Sequence, residues 1–320
     1  MPNFIDQLKI NMNHHKKICV IGAANVDIIG FAKEKLIYKD SNIGTMKINA
    51  GGVGRNIAEN LSRLDFDINF ISVFGDDALS NFIKDSCKTL RLKIEDSLFL
   101  TKMATPTFMA IMDRNDLAVA ISATSIFDLM SIAFIKSKIN TLNNLDYIVL
   151  ETNMSQEILE YIVKQKPDYK YVLDTVSGKK ALRAKPILPY LHILKTNLLE
   201  ANTLSGLNIT DEVDYPKLVH YFLNKGVKKV FITLGEKGVI YGDINGIEKQ
   251  QTNSTKIKNT IGAGDAFVAG IIYADSQSLT MHEIATYGLA SARINLQQDT
   301  AVSTALNNNH LKNTYRSLTS

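Results

Sequence analysis

The run Gly262-Ala263-Gly264-Asp265 joins three small residues to a carboxylate, and the almost wholly apolar Val268-Ala269-Gly270-Ile271-Ile272 follows it. Small residues let the backbone turn tightly and approach a ligand, and a helix that begins there aims unpaired N–H groups at the turn. The predicted product is an anion hole. A helix apolar on every side is a buried helix, so its N-terminus belongs in the middle of the molecule. Asp265 then has two readings. It is a first-turn acid favoured by the helix dipole, or it accepts the proton of an attacking hydroxyl while Gly262, Ala263 and Gly264 stabilise charge on a transferred phosphoryl group.

Asn25 and Asp27 follow the first apolar run, and a carboxylate there suits two hydrogen bonds from the vicinal hydroxyls of a ribose. The plainer reading is a simple turn. Asn197 and Glu200 have the spacing of a helix start with a capping box. Thr233, Gly235 and Gly238 read as a helix-free glycine turn at a strand end, either lining a ligand or merely leading into the strand Val239–Tyr241.

The elements that position these residues follow a βα rhythm. Apolar runs at Ile18–Ile21, Phe70–Phe74, Ile148–Leu150, Tyr171–Leu173, Ile193–Leu194 and Val230–Ile232 alternate with helical spacing such as Ile57, Leu61 and Leu64. A doubly wound, mostly parallel α/β sheet flanked by helices is expected, with its ligands beyond the carboxyl ends of the strands, where Glu151, Asp174 and Asn197 fall. Residues of about 26–49 and 98–122 break the rhythm and read as a small β-sheet lid, the latter with strands Phe108–Met112 and Leu117–Ile121 around the turn Asp113–Asp116. Residues 1–16 read as an extension, and 17–320 as one domain carrying the lid.

Composition narrows the classes further. Hydrophobic content of 45% with 21% charged residues is that of an ordinary globular chain, and a net charge of +4 without a basic stripe gives no nucleic-acid footprint. Two cysteines without metal-type spacing fit a reducing, cytoplasmic setting. No apolar run approaches the ~20 residues of a membrane span. There is no G-x-x-x-x-G-K-[ST] and no G-x-G-x-x-G after the first strand, against P-loop and NAD chemistry.

The Gly262–Asp265 core, together with Ala50-Gly51-Gly52-Val53-Gly54-Arg55-Asn56-Ile57-Ala58, resembles the two signatures of the PfkB, ribokinase-like carbohydrate kinases. The resemblance covers residues 17–300 and implies a ribokinase-like fold with Asp265 as catalytic base. It implies that Asn25, Asp27, Gly51, Gly52 and Asn56 converge on the sugar, and that Asn197, Thr233, Gly235 and Gly238 hold ATP. It further implies that Glu200 acts on Mg²⁺ through water and that a monovalent cation such as K⁺ takes part. Ile261 departs from the family's usual Thr, which removes a hydroxyl contact.

The segments Gly22–Asp27, Tyr38–Asn42 and Leu194–Gly206 are most similar to the pseudouridine-phosphorylating branch of that family. That similarity adds Ser41, Asn42, Thr107 and Lys180 as substrate contacts. Lys180 also reads as an exposed surface charge. The implied partners are pseudouridine and ATP, with a second subunit paired through the lid.

Overall fold

The structure, a computed structural model, describes residues 16–114, 116–166, 168–252 and 257–319. Residues 1–15 of the expected extension and Asn115 of the expected lid turn lie outside the described residues. In chain order the strands are β1 (Lys17–Ile21), β2 (Asn25–Ala32), β3 (Gly44–Gly51), β4 (Asp67–Ile71), β5 (Val73–Phe74), β6 (Leu98–Phe99) and β7 (Thr107–Asp113). Then follow β8 (Asp116–Ala123), β9 (Tyr147–Glu151), β10 (Tyr171–Asp174), β11 (Leu191–Asn197), β12 (Lys229–Thr233), β13 (Val239–Asp243) and β14 (Gly246–Gln250).

The main sheet runs β14-β13-β12-β11-β10-β9-β1-β4. From β12 to β4 the neighbours are parallel, whereas β13 and β14 are antiparallel. Both faces are covered, which explains why β1 reads as a continuous apolar run rather than an alternating one. Ile18 and Val20 enter a core shared with the helices Val53–Arg63, Ala263–Asp275 and Met281–Leu296. Cys19 and Ile21 enter another, shared with the helices Gln156–Gln165 and Tyr215–Asn224. The doubly wound expectation holds. Nearly all of the Ala263–Asp275 helix is buried, as its all-round apolar surface requires.

The lid is a second sheet, ordered β3-β2-β7-β8. Its two segments are shifted from expectation, because residues 98–106 belong to the body: β6 pairs with β5 in a two-stranded sheet. The run Phe70–Phe74 is likewise two strands. Ser72 interrupts it, its N–H bound by Ser97 Oγ and its carbonyl accepting Leu98 N–H, so the chain leaves β1 and turns to β6.

The pairing register sorts the lid into two faces. Ile28, Ile48, Met109 and Ile121 are aligned across the four strands, and Met46 and Val119 continue that apolar face, much of it exposed. Asp27 and Asn49 are paired on the opposite face. At the far end of the main sheet, Asp275 closes its helix by accepting from Tyr147 Oη at 2.6 Å and from Lys229, with His192 Nε2 at 2.9 Å.

Candidate active site

Gly262 caps the Ala263–Asp275 helix in the left-handed region, with φ 75°, and so turns the first free N–H groups toward the carboxyl edge of the sheet. Asp265 lies in the first helical turn, 8% exposed, and accepts a 2.9 Å hydrogen bond from Asn56 Nδ2. Asn56 comes from the helix Val53–Arg63, which starts at Gly52 with φ 98°. A Cβ on Gly52 would stand 2.5 Å from the Ala23 carbonyl, so the glycine lets this helix begin directly against the β1–β2 turn. Two glycine-rich segments 209 residues apart therefore meet in one hydrogen bond.

Burial, then the neighbouring Asp174 carboxylate, push the Asp265 pKa up to about 7, against the lowering pull of Asn56 and Lys195. A carboxyl titrating there is matched to proton transfer near neutral pH.

On the acceptor side, Asn25 Nδ2 donates to Asp27 Oδ1 at 2.6 Å, and Gly51 leaves the space that the Asp27 carboxylate fills. Burial pushes Asp27 to about 6, tempered by the Asn25 bond and Arg55. Asn25, Asp27, Gly51, Gly52 and Asn56 thus share one neighbourhood beside Asp265.

Ser41, Asn42 and Thr107 are not brought there. Ser41 and Asn42 lie in the exposed loop beyond the Ala32–Gly44 pair, five residues along β2 from Asp27, or roughly 17 Å at ~3.4 Å per residue. Asn42 is occupied locally, binding Ile37 through both its N–H and carbonyl. Thr107 pairs with Val26 and falls on the lid face opposite Asp27. Lys180 is half-buried rather than exposed and donates to Asn153 Oδ1 at 2.5 Å, near Glu151. Hairpin length decides the outcome for Ser41 and Asn42, and strand parity that for Thr107.

On the other side of the anion hole lies a cavity of about 660 Å³. Thr233, Gly235, Gly238, Ala263 and Gly264 form its polar end, and Phe267, Leu289, Leu296 and Leu318 contribute apolar walls suited to a flat heterocycle. The Thr233–Gly238 turn is not helix-free as expected: Gly235–Lys237 form a short 3-10 turn between two glycines at φ 62° and 90°. The side chain of Ile261 is half-exposed, and its carbonyl accepts Asn295 Nδ2 at 3.0 Å, so the turn is anchored through its backbone.

Asn197 and Glu200 make a complete capping box. Glu200 is buried and also accepts Thr175 Oγ1 at 2.5 Å, so its oxygens are already satisfied by protein donors. Among the described residues no cluster of three or more His, Cys, Asp or Glu forms a metal cage. This donor set fits Mg²⁺ held chiefly by nucleotide phosphates and water, since that ion keeps its waters and needs few protein ligands. No helix among the described residues is long and apolar enough to cross a membrane.

Lys195 was not among the expected site residues. It is 6% exposed, and its Nζ sits 2.8 Å from Asp174 Oδ2. The signal was available: Lys195 occupies a parallel strand buried on both faces, where a charge demands a partner. Glu151 accepts Ala23 N–H at 2.5 Å and Asn153 N–H at 2.6 Å, and burial pushes it to about 7.

Against known proteins, the profile described as "pfkB family carbohydrate kinase" matches residues 15–307. Pseudouridine kinase of Escherichia coli (strain K12) is 30% identical over 262 residues, covering 81% of this chain and 84% of that one. Guanosine-inosine kinase of Exiguobacterium acetylicum is 26% identical, covering 86% and 93%. A crystal structure of a sugar-kinase candidate from Clostridium perfringens superposes with a TM-score of 0.82 at 33% identity, covering 96% of each chain.

Proposed function

Because this chain belongs to the pfkB family of carbohydrate kinases, we propose that it transfers the γ-phosphate of ATP to the 5′-hydroxyl of pseudouridine. The observation that carries the phosphotransfer reading is the Asn56–Asp265 bond, which joins a polyol-suited carboxylate region to an anion hole with a base at its mouth. Asp27 receives the sugar hydroxyls, and Asp265 removes the proton of the attacking oxygen. The N–H groups at the helix start neutralise charge on the phosphoryl group, most of the rate coming from positioning and electrostatics. Asn197 and Glu200 would face Mg²⁺ brought in with ATP, an ion that would shield the phosphates while keeping its own waters.

The choice of pseudouridine is supported by the 30% identity to a kinase of that name. A purine nucleoside acceptor is the second reading, supported by the likeness to guanosine-inosine kinase. With ATP and Mg²⁺, pseudouridine is expected to give a kcat/KM at least ~10-fold above uridine, inosine, guanosine and ribose, a gap of the size that base-edge hydrogen bonds supply. A steady-state panel that ranks inosine or ribose first sinks the pseudouridine assignment and leaves phosphotransfer standing.

Body and lid form one unit that works as a homodimer. The support is the exposed apolar face of the lid, where Met46 is 63%, Val119 53% and Ile121 64% exposed, beside the outer strand β8. A second copy on that face removes both the apolar surface and the free strand edge from water. Sedimentation should give a dimer for the wild-type chain and a monomer for Val119→Asp/Ile121→Asp. A wild-type monomer at micromolar concentration refutes the pairing.

A further inference from the structure

We propose that Lys195 is the cationic arm of the anion hole: its ammonium, held on Asp174 and packed over Gly264, moves onto the phosphates of the bound nucleotide. The proposal rests on the reading of the Gly262–Asp265 turn as a phosphate site.

A lysine buried in the middle of a sheet is costly unless its charge is paired, and an ion pair in such a place is often matched or bettered in stability by apolar residues. Stability alone therefore does not account for the pair. Its surroundings do point to a ligand. Asp174, Glu200 and Asp265 all act on this one ammonium, so the region is rich in buried negative charge yet borders the turn built to receive an anion. The bond to Asp174 engages one of the three ammonium protons.

Gly264 gives the position. A Cβ there would meet Lys195 Nζ at 2.6 Å and Cε at 3.6 Å, and beyond its own helix no other described atom comes within 4 Å. The space beside Gly264 on the first helical turn is thus filled by the end of the Lys195 side chain. Gly264 also borders the 660 Å³ cavity, so the same residue touches the lysine and the nucleotide side. A flexible four-carbon stem ending in a compact charge suits a group that shifts from a resting carboxylate to a phosphate oxygen. When it moves, Asp174 keeps the Val176 N–H at 2.8 Å and is not left without a donor.

The test is titration calorimetry of ATP and of adenosine, in Mg²⁺ buffer, against the wild-type chain, Lys195→Met, Gly264→Ala and the double variant. Each single change is expected to weaken ATP roughly 10–100-fold, the range of a hydrogen bond to a charged group, with adenosine within about 2-fold of wild type. Both act on one ammonium, so the double variant loses no more than Lys195→Met alone. Lys195→Arg restores part of the ATP affinity by keeping the charge. ATP binding by Lys195→Met within about 2-fold of wild type overturns the proposal. Equal loss of adenosine and ATP in both single variants assigns a structural role and overturns it as well. A wild-type chain that binds no ATP refutes the phosphate reading of the turn itself.

Discussion

Asp265→Asn is expected to lower kcat roughly 10²–10⁴-fold, the usual contribution of a positioned general base, while KM for the nucleoside changes only a few-fold. The amide keeps the shape of the side chain and can still accept from Asn56, so the acceptor pocket stays intact. In the wild-type chain kcat/KM should rise with pH along a limb centred about 7, where the Asp265 carboxyl loses its proton. A nucleoside-binding sensor without catalysis predicts instead that the variant retains its function.

The same substitution has a stability signature of the opposite sign. The folded pKa of Asp265, about 7, lies above the ordinary value of 3.8, so the carboxyl favours the fold fully below about pH 4. That contribution is lost as pH rises to 7. Asp265→Asn carries no such loss, so its advantage over wild type opens between pH 4 and pH 7 and then levels off, on the order of 1–3 kcal/mol. Thermal melts at pH 4 and pH 8 check it. A gain that is equal at both pH values means that Asp265 is not a desolvated carboxylate.

Legibility differed between the two sides of the site for physical reasons. Gly262–Asp265 and Gly51-Gly52 were readable because backbone conformation forces residue type: φ values of 75° and 98° leave glycine as the natural choice. The doubly buried strands were readable because parallel sheets leave no polar face. The nucleotide walls were not readable, since Phe267, Leu289, Leu296 and Leu318 look like ordinary core residues and only the packing of three helices leaves a cavity between them. The placement of Ser41, Asn42 and Thr107 was not readable, because a residue's reach along a lid depends on hairpin length and on which face its parity selects. Lys195 was overlooked among strand residues although charge burial there is the stronger signal.

Gly262→Ala is expected to be the most damaging single-methyl change in the protein. Its φ of 75° is the left-handed region, which costs an alanine roughly 1–2 kcal/mol. Its Cβ would also fall well inside contact distance of the Ala301 carbonyl, a backbone atom with no rotamer to escape into. Relief has to come from moving the start of the Ala263–Asp275 helix, whose preceding turn is tied to Asn295 through the Ile261 carbonyl. The expected outcome is a destabilisation of about 2–4 kcal/mol by calorimetry and at least a ~100-fold loss of ATP-dependent turnover, because the N–H groups no longer point at the phosphoryl group. Gly264→Ala is the internal control. It adds the same methyl two residues later, where the backbone is helical and the close contact among the described residues is the end of a lysine side chain, so it should melt close to wild type. If Gly262→Ala melts and turns over like wild type, the helix start is not held by that glycine and the anion hole lies elsewhere. If it melts normally yet loses turnover, the geometry of the turn matters to the phosphate alone, and the Ala301 contact is softer than a carbonyl in a packed loop should be.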